Sequence, residues 1–153
     1  MNEQRSVFRP GLLAGRVALV TGGGTGIGFG IASALALVGA EVAIASRKPE
    51  HLEPAAAKLR AAGAKVSAVE VNVREPESVA RMVAQVREQH GRLDILVNNA
   101  AGNFYAASAT LSPNAWRAVV ETDLYGTFYC CQAAYPVMKA QGGGRIISIS
   151  MTL

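Results

Sequence analysis

The chain has 153 residues, of which half are apolar, 17% charged and 6% aromatic, enough for one hydrophobic core and too apolar for bulk disorder. Its two cysteines are adjacent, which excludes a disulfide-stapled secreted framework and a zinc site built on cysteine spacing. The net charge of +4, from 15 Lys and Arg against 11 Asp and Glu, is scattered along the chain, so no nucleic-acid partner is expected and only a mild bias toward anionic ligands remains.

Residues 1–15 read as a polar lead-in punctuated by Pro10-Gly11, without the apolar segment of a signal peptide. Residues 16–21 carry Val17-Ala18-Leu19-Val20, a run suited to a strand buried on both faces. A glycine-rich turn follows, and 28–38 reads as a helix closed by Gly39. Residues 41–46 predict a second buried strand, and 49–62 a helix that opens on Pro49 and stops at Gly63. A third strand over 65–72, a helix over 75–90 closed by Gly91, and a fourth strand over 93–97 come next. Residues 114–139 read as one long helix or two, with Pro136 disturbing the last part, and 145–150 as a fifth strand. The most apolar helical stretch, 31–45, is broken by Gly39 and Glu41 and falls short of the ~20 residues of a membrane span. A soluble, cytoplasmic chain is expected.

Strands alternating with helices predict an α/β fold with a parallel sheet covered on both faces, and right-handed crossovers favour the order 3-2-1-4-5. The lead-in 1–15 is expected to precede a single, partial dinucleotide-binding domain over 16–153.

The turn Thr21-Gly22-Gly23-Gly24-Thr25-Gly26-Ile27-Gly28 lies between the first strand and the first helix. A glycine-rich turn with both of those neighbours reads as a phosphate cradle of the Rossmann type. Glycine makes the tight turn, its missing side chain admits a pyrophosphate to the backbone, and the free amides of the helix start favour a negative charge. Thr21, Gly22, Gly24, Thr25, Gly26, Ile27 and Gly28 are therefore candidate cofactor contacts.

The second strand ends Ala45-Ser46-Arg47-Lys48. An NAD site carries an acidic residue here, on the adenosine ribose. Ser46 stands in that place and two cations follow, which suits a 2′-phosphate: Arg47 offers a bidentate fork and Lys48 adds charge. NADPH is the expected cofactor, and no metal is expected.

The fourth strand runs into Asn98-Asn99-Ala100-Ala101-Gly102-Asn103-Phe104, whose small side chains permit close approach of a flat ring. Thr21-Gly22 with Gly26 and Gly28, and then Asn98-Asn99-Ala100, resemble in sequence and spacing the two N-terminal signatures of the short-chain dehydrogenase/reductase family. The likeness covers nearly the whole chain. Asn98 to Phe104, Leu111-Ser112-Pro113-Asn114-Ala115-Trp116, Gly26-Ile27-Gly28-Phe29 and Ile44-Ala45-Ser46-Arg47 resemble its peroxisomal-type 2,4-dienoyl-CoA reductase branch. The trans-2-enoyl-CoA reductases are the near alternative.

The resemblance implies that Gly22, Gly26 and Gly28 wrap the pyrophosphate, Thr21 braces the turn and Arg47 holds the 2′-phosphate. It implies that Asn72, with Val73, falls beside the adenine, where many relatives have an aspartate. Asn98, Ala100 and Ala101 would lie along the ribose and nicotinamide. Asp123 stands where most of the family has an asparagine that structures a proton-relay water. In the peroxisomal-type branch an aspartate there is thought to help protonate the substrate, which makes Asp123 the candidate catalytic residue.

The family's serine after the fifth strand aligns with Met151, whose thioether cannot donate to a carbonyl. This argues for reduction of a conjugated double bond over ketone chemistry, with Ser150 one residue away. Tyr135-Pro136-Val137-Met138-Lys139 matches the family's Tyr-x-x-x-Lys as text, but it precedes the fifth strand, whereas the family motif follows it. The resemblance thus implies an NADPH-dependent reductase of unsaturated fatty acyl-CoA, homo-oligomeric in its full-length relatives and peroxisomal if the source is eukaryotic. The next helix with its lysine would lie beyond residue 153, so a fragment, catalytically incomplete as it stands, is expected. A noncatalytic dinucleotide-binding module is the alternative from another class.

Overall fold

The structure is a computed structural model and describes residues 7–150. The strands are β1 (Val17–Thr21), β2 (Glu41–Ser46), β3 (Val66–Glu70), β4 (Ile95–Asn98) and β5 (Arg145–Ser148). The helices are α1 (Gly26–Leu37), α2 (Pro49–Ala61), α3 (Pro76–His90), α4 (Pro113–Val119) and α5 (Gly126–Ala140), with a 3-10 turn at Ser108–Thr110. All four strand pairings are parallel, in the order β3-β2-β1-β4-β5, as the alternation of elements predicts.

Side chains that alternate along a strand build a core on each face. Leu19, Ala43, Val69 and Leu96 meet Val79, Met82, Val83 and Val86 of α3 and Cys130, Ala134 and Met138 of α5. Val20, Val42, Ile44 and Val97 meet Ala32 of α1 and Leu52, Ala55, Ala56 and Leu59 of α2 on the other. β1 is buried throughout, which accounts for its unbroken apolar run.

Local chemistry sets the helix ends. Proline occupies an opening position of α2, α3 and α4, where its missing N–H costs nothing. The Ser112 side chain caps α4 by accepting from the Ala115 N–H at 3.1 Å. Gly39, Gly63 and Gly91, at φ +98°, +87° and +78°, turn the chain from α1, α2 and α3 toward the following strands.

The structure corrects several boundaries. α1 begins at Gly26, two residues before the expected start, because the last part of the glycine turn is already helical. β3 is shorter than 65–72, since pairing with β2 stops at Glu70. β4 begins at Ile95 and runs to Asn98. Pairing of β5 ends at Ser148, where Asn98 is its partner, and all four residues of β5 are exposed, so the covering of both faces stops at β4. The long helical region has its irregularity at Val120–Tyr125, one wide π-type turn joining α4 to α5. Pro136 sits inside α5 without ending it.

Candidate cofactor site

A crevice of about 400 Å³ opens at the C-terminal ends of β1, β2 and β4. It lies where the strand order reverses, the place at which open α/β sheets take ligands. Its walls are the turn 22–28 except Gly23, the end of β2 with Arg47, Lys48 and His51, Val71 and Val73 after β3, residues 99–101 after β4, and Thr122 of the wide turn.

The turn is shaped by what glycine alone permits. Gly22 and Gly26 have φ of +66° and +53°, a left-handed backbone that disfavours side chains. At Gly28 the reason is space: a Cβ there would lie 2.2 Å from the Gly22 carbonyl oxygen and 2.5 Å from Asn99 Nδ2. The first turn of α1 is thus pressed against the strand end. Gly23, which carried no separate role in the sequence pattern, is buried, and its Cβ would meet Ile44 and the Val20 carbonyl at 2.9 Å. The Gly22 N–H donates to the Ala45 carbonyl at 2.7 Å, fastening the turn to β2. Within α1 the Phe29 N–H donates to the Thr25 carbonyl. The N–H groups ahead of it are those a helix start leaves without an intrahelical partner, and they belong to residues that line the crevice.

Thr21 is 1% exposed and stands behind the wall. Its hydroxyl accepts from the N–H groups of Asn99 and Ala100, both at 3.0 Å, and donates to the Val97 carbonyl at 3.3 Å. The Asn99 side chain returns the tie by donating to the Thr21 carbonyl at 3.0 Å. Asn99 is the residue that the sequence reading passed over in favour of its neighbour.

Asn98 is outside the wall. Its amide is 4% exposed and donates toward Cys131 Sγ at 3.3 Å and Ser148 Oγ at 3.4 Å, with Oδ1 left without a protein partner. Asn72 is also off the wall. Its Nδ2 donates to Glu75 Oε1 at 2.6 Å, its Oδ1 accepts from the Arg74 N–H at 3.3 Å, and its neighbours Val71 and Val73 line the crevice instead. Ala100 and Ala101 do line it, as do Ser46, Arg47 and Lys48. Ser46 Oγ accepts from the Lys48 N–H at 3.2 Å, which turns the chain so that both cations border the opening. Among the described residues neither Arg47 nor Lys48 forms an ion pair.

Asp123 projects from the wide turn, exposed, and its Oδ1 accepts from the Gly102 N–H at 2.8 Å. This bond anchors the segment that leaves β4 to the helix beside the crevice mouth. Arg74 pairs with Glu121 two residues earlier, and a Cβ on Gly126 would lie 2.8 Å from Val73 Cγ2. The wide turn is thereby held close against the wall that Val73 and Thr122 form. Tyr135 and Lys139 lie on α5, before β5, with the ammonium 5.9 Å from the ring centre. Ser150 is exposed beyond β5, and Met151 lies outside the described residues. Among those residues no cluster of three or more His, Cys, Asp or Glu is arranged to hold a metal, and no helix is long and apolar enough to cross a membrane.

The sequence model of the short chain dehydrogenase family matches residues 16–152. A peroxisomal 2,4-dienoyl-CoA reductase, (3E)-enoyl-CoA-producing, from Arabidopsis thaliana is 45% identical over 97% of this chain and 52% of its own length. A relative of the same name from Danio rerio is 42% identical over 100% of this chain and 51% of its own. The chain thus spans about half the length of the curated relatives it matches. Among solved structures, a citronellol catabolism dehydrogenase from Pseudomonas aeruginosa superposes with a TM-score of 0.87 at 36% identity, over 94% of this chain and 59% of that one. A metagenomic short-chain oxidoreductase in complex with NADP gives 0.86 at 34% identity, over 92% and 64%.

Proposed function

The chain belongs to the short chain dehydrogenase family, and from that premise we propose that its crevice holds NADPH for the reduction of a conjugated double bond in an unsaturated fatty acyl-CoA. One arrangement carries the reading. A glycine turn with a helix start faces two cations, Arg47 and Lys48, that no carboxylate among the described residues pairs with, and Ser46 stands where an acidic residue would repel a 2′-phosphate.

The residues present fit the cofactor. Gly22 and Gly26 take the left-handed backbone angles of a tight turn on the crevice wall, and the start of α1 would offer N–H groups to a pyrophosphate. Arg47 would take the 2′-phosphate with Lys48 beside it, Val73 would flank the adenine, and Ala100 and Ala101 leave room for flat rings. When bound, NADPH supplies the hydride of the reduction. Asp123 would hold or orient the proton delivered to the acyl chain, with the Gly102 amide fixing one carboxylate oxygen and leaving the other free. The names of the two curated relatives support the dienoyl-CoA substrate and a peroxisomal setting, and assembly into homo-oligomers is proposed with them.

Fluorescence titration of the chain with NADPH and NADH tests the cofactor. NADPH binds more tightly, and Arg47→Ala weakens it by about tenfold or more while sparing NADH. Equal or tighter NADH binding overturns the assignment. In a protein with the relatives' full length, NADPH absorbance falls with a 2,4-dienoyl-CoA and not with a simple ketone. There Asp123→Asn lowers turnover by about 100-fold, and unchanged turnover removes Asp123 from the chemistry.

A further inference from the structure

At the opposite edge of the sheet, where β1, β4 and β5 begin, a cavity of about 350 Å³ is bordered by three arginines, Arg16, Arg92 and Arg145. One carboxylate, Asp94, organises two of them. Its Oδ1 accepts from Arg16 Nη1 at 2.8 Å and Arg92 Nη2 at 2.7 Å, and its Oδ2 accepts from Arg92 Nε at 2.7 Å and the Val17 N–H at 3.0 Å. Asp94 is 5% exposed, while Arg16 and Arg92 are 55% and 42% exposed. The carboxylate is therefore behind, and the cations are in front.

Arg145 adds a third positive charge. Its Nη1 donates at 2.9 Å to the carbonyl of its neighbour Gly144, and among the described residues it has no carboxylate partner. The cavity thus carries three positive charges against one negative.

The floor is built, not loose. Gln141 donates from Nε2 to the Leu93 carbonyl at 2.7 Å and to the Gly143 carbonyl at 3.2 Å, and accepts the Leu93 N–H at 3.2 Å. That clamp holds the loop after α5 to the start of β4. Gly144 is packed so closely that a Cβ there would meet Met138 at 2.5 Å.

We propose that this cavity is a second anion site, taking a dianionic phosphate group, separate from the crevice at the other end of the strands. Two uncompensated charges match a phosphate dianion, and guanidinium forks match its oxygens in pairs, where a lone carboxylate would leave one charge unmatched. Asp94 fixes two of the forks before the ligand arrives, so little side-chain order remains to be imposed.

Proton–nitrogen NMR of the 153-residue chain, titrated with inorganic phosphate in one arm and a nucleoside monophosphate in the other, tests this. In wild type the amides of Gly143 and Gly144 and the Arg145 side chain shift saturably. Tighter binding in the first arm marks the inorganic ion, and tighter binding in the second marks a phosphate ester. Arg145→Ala, a change on an exposed edge strand, weakens binding at these amides at least tenfold and leaves NADPH affinity unchanged. Arg145→Lys restores part of it, and Arg47→Ala leaves it intact. Shifts confined to residues 22–28, Gly144 shifts that persist in Arg145→Ala, or shifts lost in Arg47→Ala overturn the proposal.

Discussion

At the scale of single residues, Asp94 ties the start of β1 to the start of β4. Burial, the largest influence on its carboxyl, pushes the pKa up. The hydrogen bonds from Arg92, the Val17 N–H and Arg16, with the Arg92 charge, outweigh that and hold it at about 2. Glu41 is lowered from its ordinary value as well, first by its hydrogen bond from His90 and then by Lys65, with a smaller opposing effect of burial. A carboxyl whose pKa is depressed by folding stabilises the fold fully above its unfolded pKa and loses that contribution as pH falls toward the folded one. For Asp94 the window runs from about pH 4 down to about 2, and the contribution is on the order of 2 kcal/mol. Urea denaturation at a series of pH values checks this: stability declines through that range in wild type, and Asp94→Asn flattens the decline while lowering stability at neutral pH. The sequence did not announce this clasp, because Arg16 and Asp94 are 78 positions apart and only the parallel pairing of β1 and β4 brings them together. The two asparagines at the end of β4 were equally ambiguous. Successive side chains leaving a strand point to opposite sides. Asn98 turns toward Cys131 and Ser148 while Asn99 takes the turn, and the motif alone does not say which.

At the scale of elements, the strands and the first three helices were legible because each is bracketed by chemistry visible in the chain: Pro49, Pro76, Gly39, Gly63, Gly91. The wide turn at Val120–Tyr125 was not. A π-type turn carries no composition signal of its own, and Pro136 was the visible suspect. Its place is set by contacts far along the chain, the Arg74–Glu121 pair and the approach of Gly126 to Val73. A methyl group at Gly126 would sit 2.8 Å from Val73 Cγ2 and 3.2 Å from the Val73 carbonyl. Gly126→Ala therefore moves the helix off the crevice wall. The expected cost is about 1–3 kcal/mol in urea denaturation, together with an NADPH affinity reduced several-fold by fluorescence titration.

At the scale of the whole molecule, strand order followed from the alternation of elements, and the exposed apolar edge at β5 from its place at the end of that order. Ile146 and Ile147 are 41% and 46% exposed on an edge strand. An apolar edge with open backbone groups is a template for pairing with another chain. The apparent mass of the 153-residue chain by static light scattering is expected to rise with concentration, and Ile147→Lys reduces that rise without changing its circular dichroism. The glycines that end α1, α2 and α3 return the chain to the edge where the strands begin, the far side from the crevice. Five residues of strand put on the order of 15 Å between the two edges. A Cβ on Gly63 would meet nothing within 4 Å, and lengthening a loop raises its closure entropy only logarithmically. That bend is consequently a place to graft foreign sequence: a fluorescent reporter or affinity handle spliced beside Gly63 would ride on the scaffold and leave the crevice at the other end unobstructed.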